Sequence, residues 1–351
     1  MFMAYDHITS RSFWRSIYPA NRVPEGACTM PSAELFACNE DDAWSLASHW
    51  VTPEFLDIED GRLHVLSFDR AARRSSRTHE TRAWTHPIIN GSFFDLGDGT
   101  FVESPEFVFL RIAATHSLIE TIAYGNELCG AYSFHPSDER GMRQRRPLTN
   151  VGSIESFIAR AKGIPGFAQA KRAIPYIVEN SASPMETVDE MLLCLPCRLG
   201  GYGIQKPEMN HPIELSPAAA RIARKSLCYA DMFWPHERID VEHQGLQDHT
   251  GISAFDDDRH RINALKEMGI DVIEVTGSQV GDLLAFESIA LRIAKATRKR
   301  VEKAQLGAIP SRIALRTELF TWNRTCGRGS SHAFGGCVDE GRSRGGAGAQ
   351  S

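Results

Sequence analysis

The chain has 351 residues, and because one hydrophobic core rarely keeps growing beyond roughly 250 to 300 residues, two structural units are expected. Apolar residues make up 42% and charged residues 24%, a balance typical of globular proteins that excludes the disordered and fibrous classes. The formal net charge of −5 also excludes a uniformly basic nucleic-acid-binding protein.

Apolar runs are short, and none approaches the roughly 20 residues that cross a bilayer. The N-terminus also lacks the basic and then apolar pattern of a signal peptide. Eight cysteines without a regular framework favour a reducing compartment. These features predict a cytoplasmic protein with no membrane partner.

Residues 1–135 are predicted to form a small α+β domain whose role the sequence leaves open. Strand-like runs cover Leu63–Phe68 and Pro87–Phe94. A helix is expected over 104–123, since Ser104 is a good cap residue and Pro105 suits the first turn. No residue set in this unit points to a particular chemistry.

Residues 136–180 are predicted to be a linker with two helices, at Ser153–Ala161 and Phe167–Ile177. The linker begins with a polar, Pro- and Gly-punctuated loop over His135–Pro147. Its arginines are Arg140, Arg143, Arg145 and Arg146. They either contact phosphates or belong to an ordinary solvated loop.

The informative segment lies within residues 181–305 and predicts a β-hairpin. Strand-like runs at Leu227–Trp234 and Arg238–Gln244 flank the turn signal Pro235-His-Glu. A turn centred between His236 and Glu237 places Asp231 directly opposite Glu242, with Cβ atoms about 4.5–5.5 Å apart. Like charges held this way cost stability unless a cation lies between them or one of them is protonated.

Two carboxylates on rigid strands suit Mg²⁺ or Mn²⁺, which bind one or two protein carboxylates and keep positions for water and phosphate. The strand period places Asp240 and Gln244 on the face of Glu242, with Val241 and His243 on the other face. Gln244 could then hydrogen-bond a water or a phosphate oxygen. The alternative is that Asp231 and Glu242 are exposed acids of an ordinary hairpin.

Other candidates are weaker individually. Glu186 lies in a Ser183-x-x-Glu186 capping box, which explains it without function, but it could also support a metal ion. His249 or His243 could act as an acid or base. After a helix over 256–268 and a strand over 270–276, a final helix carries a basic face that could bind a nucleic-acid backbone, with Arg292, Lys295 and Lys299 as its candidate contacts.

Residues 181–305 contain 15 Lys and Arg against 19 Asp and Glu, so phosphate binding there depends on a local patch or on a bound metal ion. The pair Cys194-Leu-Pro-Cys197 suggests either a redox function or two packed thiols. The Gly-rich segment 322–351 is predicted to be disordered. It contains three potential zinc ligands but no fourth, at Cys326, His332 and Cys337.

As an ordered set, these segments resemble the PD-(D/E)XK nuclease superfamily, and within it the very-short-patch-repair-type endonuclease domains found at the C-terminus of many bacterial proteins. The resemblance covers roughly 120 residues. The matching motifs are Ser183–Glu186, Ala230–Pro235, Val241–Gly245, His249, Arg261–Gly269 and Val272–Thr276. The N-terminal half loosely resembles segments that precede such domains in proteins linked to abortive-infection antitoxins.

The resemblance implies a restriction-endonuclease-like mixed sheet flanked by helices, with a divalent metal at Asp231 and Glu242 and support from Glu186. It also implies hydrolysis of a nucleic-acid backbone, with DNA as the expected partner in defence or repair. One departure is the replacement of the superfamily's lysine by Gln244, which carries no positive charge. The alternative function is therefore a catalytically weakened nucleic-acid-binding regulator, such as a toxin–antitoxin or phage-defence component.

Overall fold

A computed structural model describes residues 3–16, 62–68, 76–77, 79–96, 99–135, 138–244, 252–297 and 309–327. These residues form a mixed α/β structure in which helices flank two mixed sheets. The strands are β1 (Met3–Tyr5), β2 (Leu63–Ser67), β3 (His79–Ala83), β4 (Phe93–Asp95), β5 (Thr100–Glu103), β6 (Tyr132–Phe134), β7 (Met142–Gln144), β8 (Glu208–Glu214), β9 (Leu227–Trp234), β10 (Ile239–Gln244) and β11 (Asp271–Thr276). The α-helices are α1 (His7–Ser16), α2 (Pro105–Thr115), α3 (Leu118–Cys129), α4 (Val151–Ala159), α5 (Phe167–Ala173), α6 (Pro184–Cys194), α7 (Pro217–Ala223), α8 (Ile252–Glu267), α9 (Gly277–Gly281), α10 (Leu283–Ala296) and α11 (Ile309–Cys326).

The N-terminal sheet has the strand order β3-β2-β1-β5-β4, with β1 parallel to β5 and antiparallel to β2. The single helix expected over 104–123 is wrong, because α2 ends at Thr115 and α3 begins at Leu118. His116 has extended backbone angles, and Ser117 starts the second helix with a reciprocal capping box to Glu120. This cap satisfies backbone N–H groups that the helix start would otherwise leave unpaired.

The arginine-rich segment after residue 135 is not a simple loop, since β6 and β7 pair as an antiparallel ribbon. Arg143 forms an ion pair with Asp138 at 3.2 Å. Arg145 donates hydrogen bonds to the backbone carbonyls of Glu127 and Gly130, at 2.7 and 3.2 Å. Two of the four candidate arginines are therefore engaged in holding the chain.

The C-terminal sheet has the strand order β11-β10-β9-β8, with only the β10–β11 pair parallel. Helices cover both faces of this sheet. Val241 and Ile273 belong to the main core together with Val188 of α6 and Ile293 of α10. On the other face a second cluster is formed by residues of the strands, of α8 and of the turn that follows α8: Ile213, Cys228, Ala230, Phe233, Ile262, Leu265, Ile270 and Val272.

The main hydrophobic core is continuous from Met3 to Cys326 and includes Ile154 of α4, so the segment 136–180 packs into the core with the units on either side. Trp322 is buried in α11, with 3% of its surface exposed. The helix thus corrects the expected start of the disordered tail, while residues 328–351 lie outside the described part of the chain. No described helix combines the length and the apolarity needed to cross a membrane.

Candidate functional site

The β9–β10 hairpin has the register predicted from its turn. Ile239 pairs with Trp234, Asp240 with Phe233 and Val241 with Met232. The next position in this register brings Glu242 opposite Asp231. There the strands separate, and the Asp231 carboxylate accepts the backbone N–H of His243 at 3.0 Å.

The neighbouring strand β8 is also irregular at this level. Met209 pairs with Met232 and His211 with Ala230, which leaves Asn210 opposite Asp231. Asn210 has a positive φ of 47°, a conformation that asparagine tolerates better than most residues. Asp231 therefore lies where regular pairing is interrupted on both sides, as is common near functional sites.

Acidic side chains surround this interruption and are largely buried, with 2% of Glu242 and 0% of Asp240 exposed. The side chain of Asp231 is partly buried. This burial, followed by the negative charges of Glu242 and Glu186, raises the pKa of Asp231 well above its usual range. The interpretation of Asp231 and Glu242 as exposed acids of an ordinary hairpin does not fit these positions.

Asp240 adds a further buried acid to the group. Burial and then the adjacent Glu242 carboxylate raise the pKa of Asp240 to about 10. No donor among the described residues reaches either Asp240 oxygen. The raised pKa favours the protonated form of Asp240, which lowers its repulsion with Glu242.

Glu186 approaches the same acids from the start of α6. Ser183 caps this helix by accepting the Glu186 N–H at 3.1 Å, as the sequence predicts. The return bond differs from the expected capping box, because the Glu186 carboxylate accepts the N–H of Ala182, at 2.7 Å, rather than that of Ser183. Burial raises the pKa of Glu186 to about 7, although hydrogen bonds from the Ala182 N–H and the Ser183 side chain to the carboxylate lower it.

One turn further along α6, Asp189 forms a pair with His243 that the sequence analysis did not identify. His243 Nδ1 lies 2.6 Å from Asp189 Oδ2, so His243 faces α6 as the strand period predicts. Burial disfavours the charged imidazole, but the charge and hydrogen bond of Asp189 outweigh it and raise the pKa of His243. The spacing Glu186-x-x-Asp189, which places both acids on one helix face, was the available signal.

Arg261 of α8 is the second residue that the sequence analysis left without a role. Its Nη1 donates to Glu242 Oε1 and to the backbone carbonyl of Tyr229, the latter at 3.2 Å. Gln244 contacts a different residue. Its amide donates a hydrogen bond to Glu274 of β11 at 2.7 Å. The Gln244 amide oxygen is left as a potential acceptor.

The basic residues predicted to bind a nucleic-acid backbone are not brought to the acids. Arg292 forms two bonds with Asp271, at 2.7 and 2.9 Å. Asp271 begins β11, whereas Glu242 and Gln244 pair near its other end. Lys295 is exposed on α10, while Lys299 and His249 lie outside the described residues.

The donor chemistry fits a divalent cation. Asp231 and Glu242 offer hard oxygen ligands, and burial, followed by the charges of Glu242 and Glu186, raises the pKa of Asp231. Within the described residues, no three His, Cys, Asp or Glu side chains are grouped so as to hold a metal by themselves. A site of two carboxylates completed by water and phosphate is the arrangement typical of Mg²⁺.

The Cys194–Cys197 pair does not favour redox chemistry. Both thiols are free. Burial, followed by the charge of Glu190, raises the pKa of Cys194 well above its usual range. A reactive cysteine requires the opposite shift, since the thiolate is the reactive form.

Comparison with known proteins adds little about activity. The chain is 22% identical over 127 residues to two proteins of Mycobacterium tuberculosis, uncharacterized protein MT2308 of strain CDC 1551 / Oshkosh and uncharacterized protein Rv2248 of strain ATCC 25618 / H37Rv. The match spans 36% of this chain and 42% of each relative. No family model matches the sequence, and no solved structure matches it significantly.

Proposed function

We propose that this protein is a divalent-metal-dependent nuclease that hydrolyses phosphodiester bonds of DNA at the acids around the β9–β10 hairpin. The observation that carries the proposal is the convergence of Asp231, Glu242 and Glu186: burial, and then the charges of Glu242 and Glu186, raise the pKa of Asp231 well above its usual range. Such a cluster is costly as a purely structural element. It becomes favourable when a cation binds there.

The arrangement of the elements supports the same proposal. A hairpin presents the two ligands, a helix start adds Glu186, and β11 joins the sheet in parallel after α8. This order is the one expected for the restriction-endonuclease-like fold. We therefore propose that fold for the C-terminal sheet and its flanking helices.

In the proposed reaction, water attacks phosphorus and one phosphorus–oxygen ester bond breaks, giving a phosphate monoester and a hydroxyl group. Asp231 and Glu242 would hold the cation, which would polarise the phosphate and make water more acidic. The attacking water loses one proton, for which we propose Glu186 as the acceptor, and the leaving oxygen gains one from solvent. The Gln244 amide oxygen can orient the water by accepting its hydrogen bond.

The test is cleavage of supercoiled plasmid with Mg²⁺ or Mn²⁺ and with EDTA. Asp231→Asn and Glu242→Gln keep side-chain shape but remove charge, and each should lower the rate at least about 100-fold, since even outer-shell changes cost 10- to 100-fold. Glu208→Gln is the matched control, because Glu208 lies on the edge strand β8 with 57% of its side chain exposed. Metal-independent cleavage, or equal rates in all three variants, would disprove the proposal.

A second candidate is a nucleic-acid-binding regulator that has lost hydrolysis. Gln244 favours it, because this residue carries no positive charge at the superfamily's lysine position and its amide is engaged by Glu274. This candidate predicts salt-dependent binding of labelled DNA in EDTA with no metal-dependent cleavage. Absence of binding at low salt would eliminate it.

A further inference from the structure

An arginine of α8 brings positive charge to the acid cluster. Arg261 places its Nη1 on Glu242 Oε1, with 18% of the arginine side chain and 3% of the glutamate side chain exposed. The position of Arg261 on the helix is fixed, because the following residue Ile262 and Leu265 are buried in the second hydrophobic cluster. The guanidinium is therefore a built part of the site.

The influence of Arg261 extends beyond one contact. Its charge acts to lower the pKa of both Asp231 and Asp240, against the burial that raises them. Arg261 thus partly balances the same negative charge that a divalent cation would balance. A divalent cation bound to Glu242 would repel the guanidinium and compete with it for the carboxylate.

We infer that Arg261 is the phosphate-binding residue of this site, which holds Glu242 until a divalent cation replaces it and then binds a non-bridging oxygen of the phosphodiester. This inference rests on the proposed function. Arginine suits both partners, because its planar fork of N–H donors matches carboxylate and phosphate alike. In this role Arg261 supplies the positive charge that Gln244 does not carry.

The first test measures Mn²⁺ affinity by electron paramagnetic resonance, without any substrate. Arg261→Gln should bind Mn²⁺ about five- to tenfold more tightly than the wild type, the size of a modest coupling between two sites. Arg292→Gln is the matched control, since Arg292 pairs with Asp271 away from the acids, and its Mn²⁺ affinity should be unchanged. Equal or weaker Mn²⁺ binding by Arg261→Gln overturns the inference that a cation displaces Arg261 from Glu242.

The second test measures binding of a fluorescent DNA oligonucleotide in Ca²⁺, so that no turnover is needed. Arg261→Gln should weaken binding at least about fivefold, Arg261→Lys should weaken it less, and Gln244→Lys added to Arg261→Gln should restore it. Circular dichroism establishes that each variant is folded. Unchanged DNA binding by folded Arg261→Gln overturns the phosphate-binding role.

The two proposals fail in different ways. If wild-type protein binds Mn²⁺ but cleaves no DNA, the proposed function fails, and the Mn²⁺ and Ca²⁺ measurements still decide the role of Arg261. If wild-type protein cleaves DNA and Arg261→Gln matches it in both binding measurements, the role of Arg261 fails and the proposed function stands.

Discussion

Glu186→Gln should make the protein more stable at pH 8 and change its stability little at pH 5. Glu186 is 7% exposed, and burial raises its pKa from the ordinary 4.5 to about 7. An acid whose pKa is raised in the folded state costs no stability at pH values below its pKa in the unfolded state. The cost in stability then grows as the pH rises to the pKa of the folded state. The loss of stability therefore develops between about pH 4.5 and 7 and is complete above that window.

The magnitude follows from the size of the shift. At roughly 1.4 kcal/mol per pKa unit, a change from 4.5 to about 7 corresponds to about 3 kcal/mol at pH 8. Glutamine keeps the oxygen that accepts the Ala182 N–H, so the variant should recover much of this free energy. Because Glu186 interacts with the other acids, a gain of about 1 to 3 kcal/mol is expected.

The assay is urea unfolding at pH 5 and pH 8 in EDTA, with the free energy of unfolding taken from each curve. Glu155→Gln is the control, because Glu155 is an exposed glutamate of α4. A repeat with saturating Mn²⁺ should reduce the advantage of Glu186→Gln, since a bound cation removes the repulsion among the acids. A variant less stable than the wild type at pH 8, or equally shifted at both pH values, would refute the reasoning.

Three further changes test the fold by denaturant unfolding. Trp322→Ala should lower stability by about 3–5 kcal/mol, because α11 buries this ring in the main core, and an unchanged midpoint would remove α11 from the core. Ser117→Ala should cost about 1 kcal/mol through the lost cap of α3, and no change would show that the cap is dispensable. Glu103→Gln should stabilise the protein at pH 7 more than at pH 4, since burial raises the pKa of Glu103 well above its usual range, and a lower stability at pH 7 would contradict this sign.

The hairpin shows what local sequence can determine. The turn Pro235–Glu237 and the lengths of the flanking runs were enough to predict the β9–β10 register, because a tight turn leaves few alternatives for strand pairing. The position of Glu242 opposite Asp231 follows from that register. The Ser183 cap of α6 was predicted from local sequence in the same way and is confirmed.

The contacts that complete the site join residues of different helices and strands that lie far apart in the sequence. Arg261 reaches Glu242 and Asp189 reaches His243 from helices whose docking depends on the whole core. Periodicity gives the buried face of α8 but not the strand residue that a long arginine will contact. A single sequence does not reveal which residues form such contacts. The break between α2 and α3, in contrast, was signalled by Ser117-x-x-Glu120.

Amino-acid composition was a poorer guide to the structure than local sequence patterns at two places in the chain. The Gly-rich end of the chain dominated the expectation from residue 322 onward, although Trp322 and Cys326 continue the apolar face of α11. Likewise, residues 136–180 were predicted to be a linker with two helices, and Ile154 and Phe157 of α4 lie in the main core. A short polar loop between packed helices has the composition of a linker without acting as one.

The acid cluster also bears on the choice between a metal site and an inert hairpin. Natural sequences seldom keep buried groups that destabilise the fold unless those groups serve a function. Here Asp231, Asp240 and Glu186 all have raised pKa values, so each would become less costly as a neutral amide. If the neutral replacements stabilise the protein while Mn²⁺ binding is lost, the acids are kept for the cation; if they stabilise it and Mn²⁺ never bound, only the second candidate function survives.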